Sequence, residues 1–329
     1  MAINTGRRKF ISALGGAAVW PRAARAQLGA RTPVIGVLSP FKPGDRYAEA
    51  FRIGLQELGY VDGQNIRYEF RWASSNFDQL PDLAADLVRM KVDVIVAFVT
   101  AASLAARRAT ETIPIVMVYV SDPVGTGLIK SLARPGGDIT GTAGVTAVLF
   151  SKQLELLRDV TLNVTRFAVL SNPANLVFQK QQIQDVTAAA GKLGVELQLL
   201  EARTPLEFDA IFGTIDKQRT KALLIMGDPL FSDHIQELAE LSIKNRLIAI
   251  YSDRAFVVAG GFMAYGPDIS AISKYTAVFV DKILKGAKPS DLPVEEPTLF
   301  RFIVNLKTAK TLGIDVPTSI LLRADEVIE

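Results

Sequence analysis

The 329-residue chain has no cysteine and a single histidine, His234. Without cysteine there are no disulfide staples, no thiolate metal site and no cysteine nucleophile. A lipid-anchored mature N-terminus, which needs a cysteine after the cleavage site, is not expected either. One histidine and no cysteine leave only carboxylates to hold a metal, and no Asp/Glu cluster of suitable spacing occurs. Neither a metal nor a cofactor is therefore expected. The absence of a Gly-x-Ser-x-Gly elbow speaks against a hydrolase triad. Val37-Leu38-Ser39-Pro40-Phe41 stands where a dinucleotide site would carry Gly-x-Gly-x-x-Gly, so that chemistry is disfavoured too. No segment after the N-terminal one reaches ~18 uninterrupted apolar residues, so no direct membrane insertion is expected.

A large excess of one charge is also missing: Lys and Arg number 37 against 34 Asp and Glu. Five of the basic residues (Arg7, Arg8, Lys9, Arg22 and Arg25) fall within residues 1–26, which hold no acid, leaving 32 against 34 in the rest. A basic face for nucleic acid or anionic lipid is not supported. The first 26 residues read as an address. Arg7-Arg8-Lys9 precedes the weakly apolar run from Ile11 to Trp20, Pro21 breaks it, and Ala24-Arg25-Ala26 offers the small residues a signal peptidase reads. The twin arginine and the Gly/Ala-diluted run are of the Tat type. The expectation is a periplasmic protein cut after Ala26.

What remains is an apolar, alternating chain. At 49% hydrophobic residues, about 300 mature residues suffice for two ordinary cores. Short β-branched runs alternate with longer helical patterns, the signature of parallel α/β units. One set of predicted strands is Val34–Leu38, Asn65–Arg71, Val92–Val99, Ile113–Val120 and Asp138–Thr142. A second is Arg166–Leu170, Val195–Glu201, Ala222–Met226, Leu247–Tyr251 and Gly261–Tyr265. Helices are predicted at Tyr47–Leu58, Leu80–Arg89, Gln179–Leu193 and His234–Ile243. The sets correspond: each first strand ends in Leu-Ser (Ser39, Ser171) and each fourth in Ser-Asp (Ser121, Ser252), at offsets of 132 and 131 residues. Two similar halves would aim their strand ends at a shared cleft, where helix N-termini present free N–H groups. The glycines of Arg134–Gly144 suit a turn followed by a crossing strand, since a phosphate loop would need a lysine that is absent.

Several stretches resemble a known family. They are Glu57–Ile66, Asp122–Leu128, Leu132–Gly141, Gly260–Pro267 and Lys282–Pro289. The sequence is similar to the ABC-transporter substrate-binding family that includes tryptophan/tyrosine-type binding proteins, from about Pro33 to Ile328. The resemblance implies an α/β type I periplasmic-binding fold of two Rossmann-like, doubly wound lobes with a hinge. Lobe I would comprise 33–143 and 267–291, and lobe II 144–266 and 292–329. The helix pattern near Ile269–Lys285 would return to lobe I, and the tail from about Pro293, with a short helix at Leu306–Leu312, would cross back. The implied function is a monomeric periplasmic component of an uptake system, capturing a small molecule by hinge closure for an inner-membrane ABC permease.

An amino-acid-like zwitterion needs N–H donors for its carboxylate and a carboxylate for its ammonium. Thr100, read as an N-cap, with Ala101 and Ala102, is the candidate carboxylate cradle. Asp122 and Asp228, each before a proline, are the candidate partners of an ammonium, with helix capping as their structural alternative. Ser39, Ser121, Asn172 and Ser252 are strand-end polar groups placed to complete the hydrogen bonding. Phe41, Trp72, Phe178 and Phe231 are aromatics placed to line the site. Glu295-Glu296-Pro297 reads as a solvated connection, and His234 as a solvated first-turn residue. Of the alternatives, a DNA-binding regulator needs a helix-turn-helix where the export signal stands. A ligand sensor docking a receptor and a Tat-exported enzyme are the others weighed.

Overall fold

The computed structural model describes residues 31–145, 147–161 and 164–329. The export signal expected at 1–26 lies outside the described residues. Apolar runs become strands where both faces are buried. In β1 (Val34–Ser39), Ile35 and Val37 point into one core and Val34 and Leu38 into another, as the two-residue period requires. The chain continues through α1 (Arg46–Glu57), β2 (Arg67–Trp72), α2 (Leu80–Arg89), β3 (Val94–Phe98), α3 (Val99–Ala109), β4 (Ile115–Ser121) and β5 (Ile139–Gly144). These strands form a parallel sheet in the order β2-β1-β3-β4-β5. Helices α2 and α3 cover one face through Leu80, Leu87, Ala102 and Ala105. Phe51 and Leu55 of α1 cover the other.

The second half runs through α4 (Ala147–Thr161), β6 (Arg166–Ser171), α5 (Leu176–Leu193), β7 (Glu196–Glu201), α6 (Phe208–Lys217) and β8 (Ala222–Ile225). It goes on through α7 (Pro229–Asp233), α8 (Ile235–Lys244), β9 (Ile248–Tyr251), α9 (Arg254–Val258) and β10 (Met263–Pro267). Next, α10 (Ile269–Leu284) packs on the first sheet, where Ala277, Phe279 and Val280 share the core of α1. Gly54 permits this crossing, since a Cβ there would lie 2.2 Å from the Lys274 carbonyl oxygen. The chain closes with β11 (Phe300–Asn305), α11 (Leu306–Leu312), α12 (Thr318–Leu321) and β12 (Glu326–Ile328). The second sheet has the order β12-β11-β10-β9-β8-β6-β7, with β11 antiparallel to β10 and the other pairs parallel. Leu154 and Leu157 of α4 and Val186 of α5 cover one face, and Phe212 of α6 and Leu238 of α8 the other. The fold is thus α/β with two doubly wound sheets.

All ten predicted strands form, each within two residues of its expected limits. Two strands went unpredicted, β11 and β12. The first, Phe300–Asn305, is rich in Phe, Ile and Val and does carry a strand signal, pairing antiparallel to β10, whereas the second spans only three residues, Glu326–Ile328, too few for a local signal. The chain passes between the sheets three times, after β5, after β10 and before β11. Ala143 N–H donates to the Glu295 carbonyl at 2.8 Å, and Glu295 N–H to the Gly141 carbonyl at 3.1 Å, tying two of these passages together. The Glu295 side chain accepts from the Tyr275 hydroxyl at 2.9 Å. Among the described residues no helix is long and apolar enough to cross a membrane.

Candidate functional site

The carboxyl ends of the parallel strands from both sheets border one cavity. Its walls are mostly apolar. Phe41 follows β1, Phe98 ends β3 and Val99 begins α3, Leu149 and Phe150 come from α4, and Ile269 opens α10. Into these walls the second half sets one acid. Asp228, after β8, is 7% exposed. It caps α7, accepting from the Leu230 N–H at 2.9 Å with Pro229 at the first helical position. Its oxygens also accept from Asn172 Nδ2 at 2.9 Å and Asn175 Nδ2 at 3.0 Å. All of these donors are neutral. Burial pushes the carboxyl up to about 6, against the pull of the three hydrogen bonds. An ionised carboxylate this deep, with no cation beside it among the described residues, calls for a positive charge.

The first half supplies the opposite pole. Helix α3 begins at Val99, and Phe98 at its cap offers no side-chain hydrogen bond, so the first N–H groups have no intrahelical acceptor. Val99 has φ +56°, a left-handed conformation that strains a β-branched residue. Thr100 is therefore inside the helix and is not its cap, a correction to the sequence reading. Its Oγ1 accepts from the Ser121 N–H at 3.1 Å. Tyr119, also on the cavity wall, has φ +54° where the β4–β5 register shifts, and its N–H donates to Thr142 Oγ1 at 3.0 Å. Strained backbone thus marks the end of β3 and a break in β4, both at the cavity.

Beside the cavity the halves touch through charged groups. Arg46 Nη2 donates to Asp253 Oδ2 at 2.7 Å and the Tyr47 hydroxyl to the same oxygen at 2.8 Å. Lys42 N–H donates to Asp233 Oδ2 at 3.2 Å, and Lys42 Nζ to the Asp233 carbonyl at 3.0 Å. Burial raises Asp233 to about 6 as well, with Lys42 opposing it.

Of the residues expected from the sequence, the structure brings Phe41, Thr100, Asp228 and Ser252 to the cavity wall. The others lie elsewhere. Ser39 Oγ donates to Asp45 Oδ2 at 3.4 Å and accepts from the Phe41 N–H at 3.2 Å. Ala101 packs against the core under α3, and Ala102 is buried within it. Ser121 and Asp122 line a separate groove with Lys180 and Gln184. There Asp122 is exposed and accepts from the Gly125 N–H at 2.8 Å, capping its own turn. Asn172 sits behind Asp228 as its donor. Phe231 is buried in the core against Phe208, and Trp72 stacks on Phe70 at 5.2 Å. The Phe178 side chain lies outside the described residues. His234 is partly exposed, with Nδ1 3.0 Å from Glu237 Oε2. Among the described residues no three His, Asp or Glu side chains gather as a metal site.

Sequence reading missed Tyr47, Val99, Tyr119, Asn175 and Gln182, all on the cavity wall. A signal existed for the last. Gln182 is polar yet falls seven residues from Asn175 and four from Val186, on the buried face of α5.

The family model for "ABC transporter substrate binding protein" matches residues 43–328. A tyrosine-binding protein of Clostridioides difficile (strain R20291) is 29% identical over 272 residues, covering 82% of this chain and 76% of that relative. Among solved structures, an ABC domain from Streptococcus pneumoniae in complex with L-Trp fits with a TM-score of 0.81 at 26% identity, over 90% of this chain and 100% of that one. The ligand-free, open structure of a substrate binding protein with adhesive properties from Clostridium difficile fits with a TM-score of 0.62, also at 26% identity, over 90% and 99% of the two chains. With a match running through both sheets and the cavity between them, the chain belongs to the ABC transporter substrate binding protein family.

Proposed function

We propose that this protein is the periplasmic solute-binding component of an ABC uptake transporter and that it captures an amino acid, of aromatic type, without chemical change. The observation that carries this reading is Asp228, a buried carboxylate with neutral donors only, facing an apolar cavity between two halves. Such a site favours a ligand with an ammonium group and an apolar body. The start of α3 offers the complementary pole for a carboxylate. Ser252, Thr100 and Phe41 are assigned to the ligand wall, and Asn172 and Asn175 hold the acid in place.

Residues 33–143 with 267–291, and 144–266 with 292–329, act as two lobes that close on the ligand. The Arg46–Asp253 and Lys42–Asp233 contacts are the latches of the closed form. A better fit to the L-Trp complex than to the open, ligand-free relative at equal identity supports a closed conformation here. The tyrosine-binding relative supports the ligand class. Export by the Tat route with cleavage after Ala26, action as a monomer and delivery to an inner-membrane permease complete the proposal.

Thermal melting against the twenty L-amino acids tests it. A cognate ligand at ~100 times its Kd adds about 2.7 kcal/mol, a rise of several degrees. No shift with any amino acid, and no amine in the mass spectrum of a freshly purified sample, would overturn the reading.

A further inference from the structure

Gln182 is 5% exposed and lines the cavity, yet no described residue makes a hydrogen bond to its amide. Of the other amides on α5 and its cap, Asn175 bonds Asp228, Gln179 bonds Glu201 and Gln181 bonds Asp185, while Gln184 is exposed. The amide atoms are not fully enclosed, unlike Gln153 Oε1 and Gln198 Nε2, and so stay open to a group entering the cavity.

Its position says what that group is. Thr100, at the start of α3, borders the cavity beside Gln182 and also borders the groove formed by Lys180, Gln181 and Gln184, the neighbours of Gln182 on α5. The amide therefore belongs to the pole where α3 presents its free N–H groups. Asp228 and Gln182 line the same cavity, so the two ends of one α-amino-acid head group can address them together.

We propose that Gln182 is a specificity-determining residue, whose Nε2 donates to the ligand carboxylate and thereby selects α-amino acids over the amines that lack it. This rests on the amino-acid reading above and adds to it a residue and a discrimination. The test is isothermal titration of the wild-type protein, Gln182→Leu and Gln182→Glu with L-tryptophan, L-tyrosine, tryptamine and tyramine. Gln181→Ala serves as a control on the exposed side of the helix.

Gln182→Leu is expected to weaken the better amino acid tenfold to a hundredfold and to leave its amine within twofold. Gln182→Glu is expected to weaken the amino acid further and to strengthen the amine, a reversal that a folding defect cannot produce. If both variants weaken acid and amine equally, or change neither, the assignment of Gln182 is overturned while the site stands. If the wild-type protein binds none of the four probes, the aromatic amino-acid reading falls, and this assignment with it.

Discussion

Asp122 and Asp228 share a local motif at different strand ends, after β4 in the first half and after β8 in the second: each precedes a proline, and each accepts a backbone N–H at its turn. Their surroundings differ completely. Asp122 is exposed, has φ +41° and lies on a groove away from the apolar cavity. Asp228 is buried, held by two asparagines, and faces the cavity. Similar halves have therefore divided the labour. The second contributes the acid, and the first contributes a helix start and two strained residues, Val99 and Tyr119. A repeated local motif does not imply a repeated role, because a capping carboxylate becomes a counter-ion only when its surroundings exclude water.

Exchanging these acids gives the largest expected effect. Asp228→Ala should cost about 2–5 kcal/mol of binding to an amine-bearing ligand, whereas Asp122→Ala should leave Kd within about twofold by calorimetry. The opposite ranking would invert the comparison.

The pH dependence separates them next. Binding should be constant above neutrality and fall about tenfold per pH unit below about 6, as Asp228 takes up its proton. The ligand-free protein should do the reverse. A carboxyl whose folded value lies above its unfolded value keeps its proton in the folded chain, so its penalty is full above about pH 6. That penalty is relieved as the pH falls toward 4. Asp228→Asn should flatten both profiles in melting and titration, while Asp122→Asn should change neither.

A smaller effect is expected at the contact between halves. Arg46→Ala removes a partly buried pair with Asp253; a loss of about 1 kcal/mol should appear as roughly fivefold faster ligand release in stopped-flow. No change in release rate would mean that the contact does not hold the closed form.

The smallest effects belong to the glycines beside each acid. A Cβ at Gly125 would lie 1.9 Å from Asp122 Oδ2, and one at Gly227 3.0 Å from Ser252 Oγ. Gly125→Ala should lower the melting temperature by a few degrees without altering Kd. Gly227→Ala should leave melting nearly unchanged and weaken binding about twofold to threefold.

Much of this architecture was legible in advance. Strands such as Val94–Phe98 are apolar on both faces, and helices such as Leu80–Arg89 carry one apolar face, so local composition suffices to predict them. The short β12 left no local signal, since its three residues are fixed by pairing to β11, whereas β11 carried a readable run of Phe, Ile and Val that went unused. The site was less legible. Strand ends pointed to Phe41, Thr100, Asp228 and Ser252, which reach the cavity, but equally to Ser39, Ser121 and Asn172, which do not. A serine after a strand looks the same whether it caps a loop, as Ser39 does beside Asp45, or faces open space, as Ser252 does. Backbone strain at Val99 and Tyr119 left no trace in residue type, since neither residue favours a positive φ.

The sequence by itself determined the alternation of strand and helix, the duplication of halves, and the chemical classes excluded by one histidine and no cysteine. Those follow from residue periods and from which functional groups exist at all. Only the tertiary structure decided which of two proline-preceding aspartates is buried, which side chains of α5 and its cap meet it, and which polar groups line the cavity. Burial and partnership are properties of the packed chain, because the dielectric around a carboxylate is set by residues far from it in sequence.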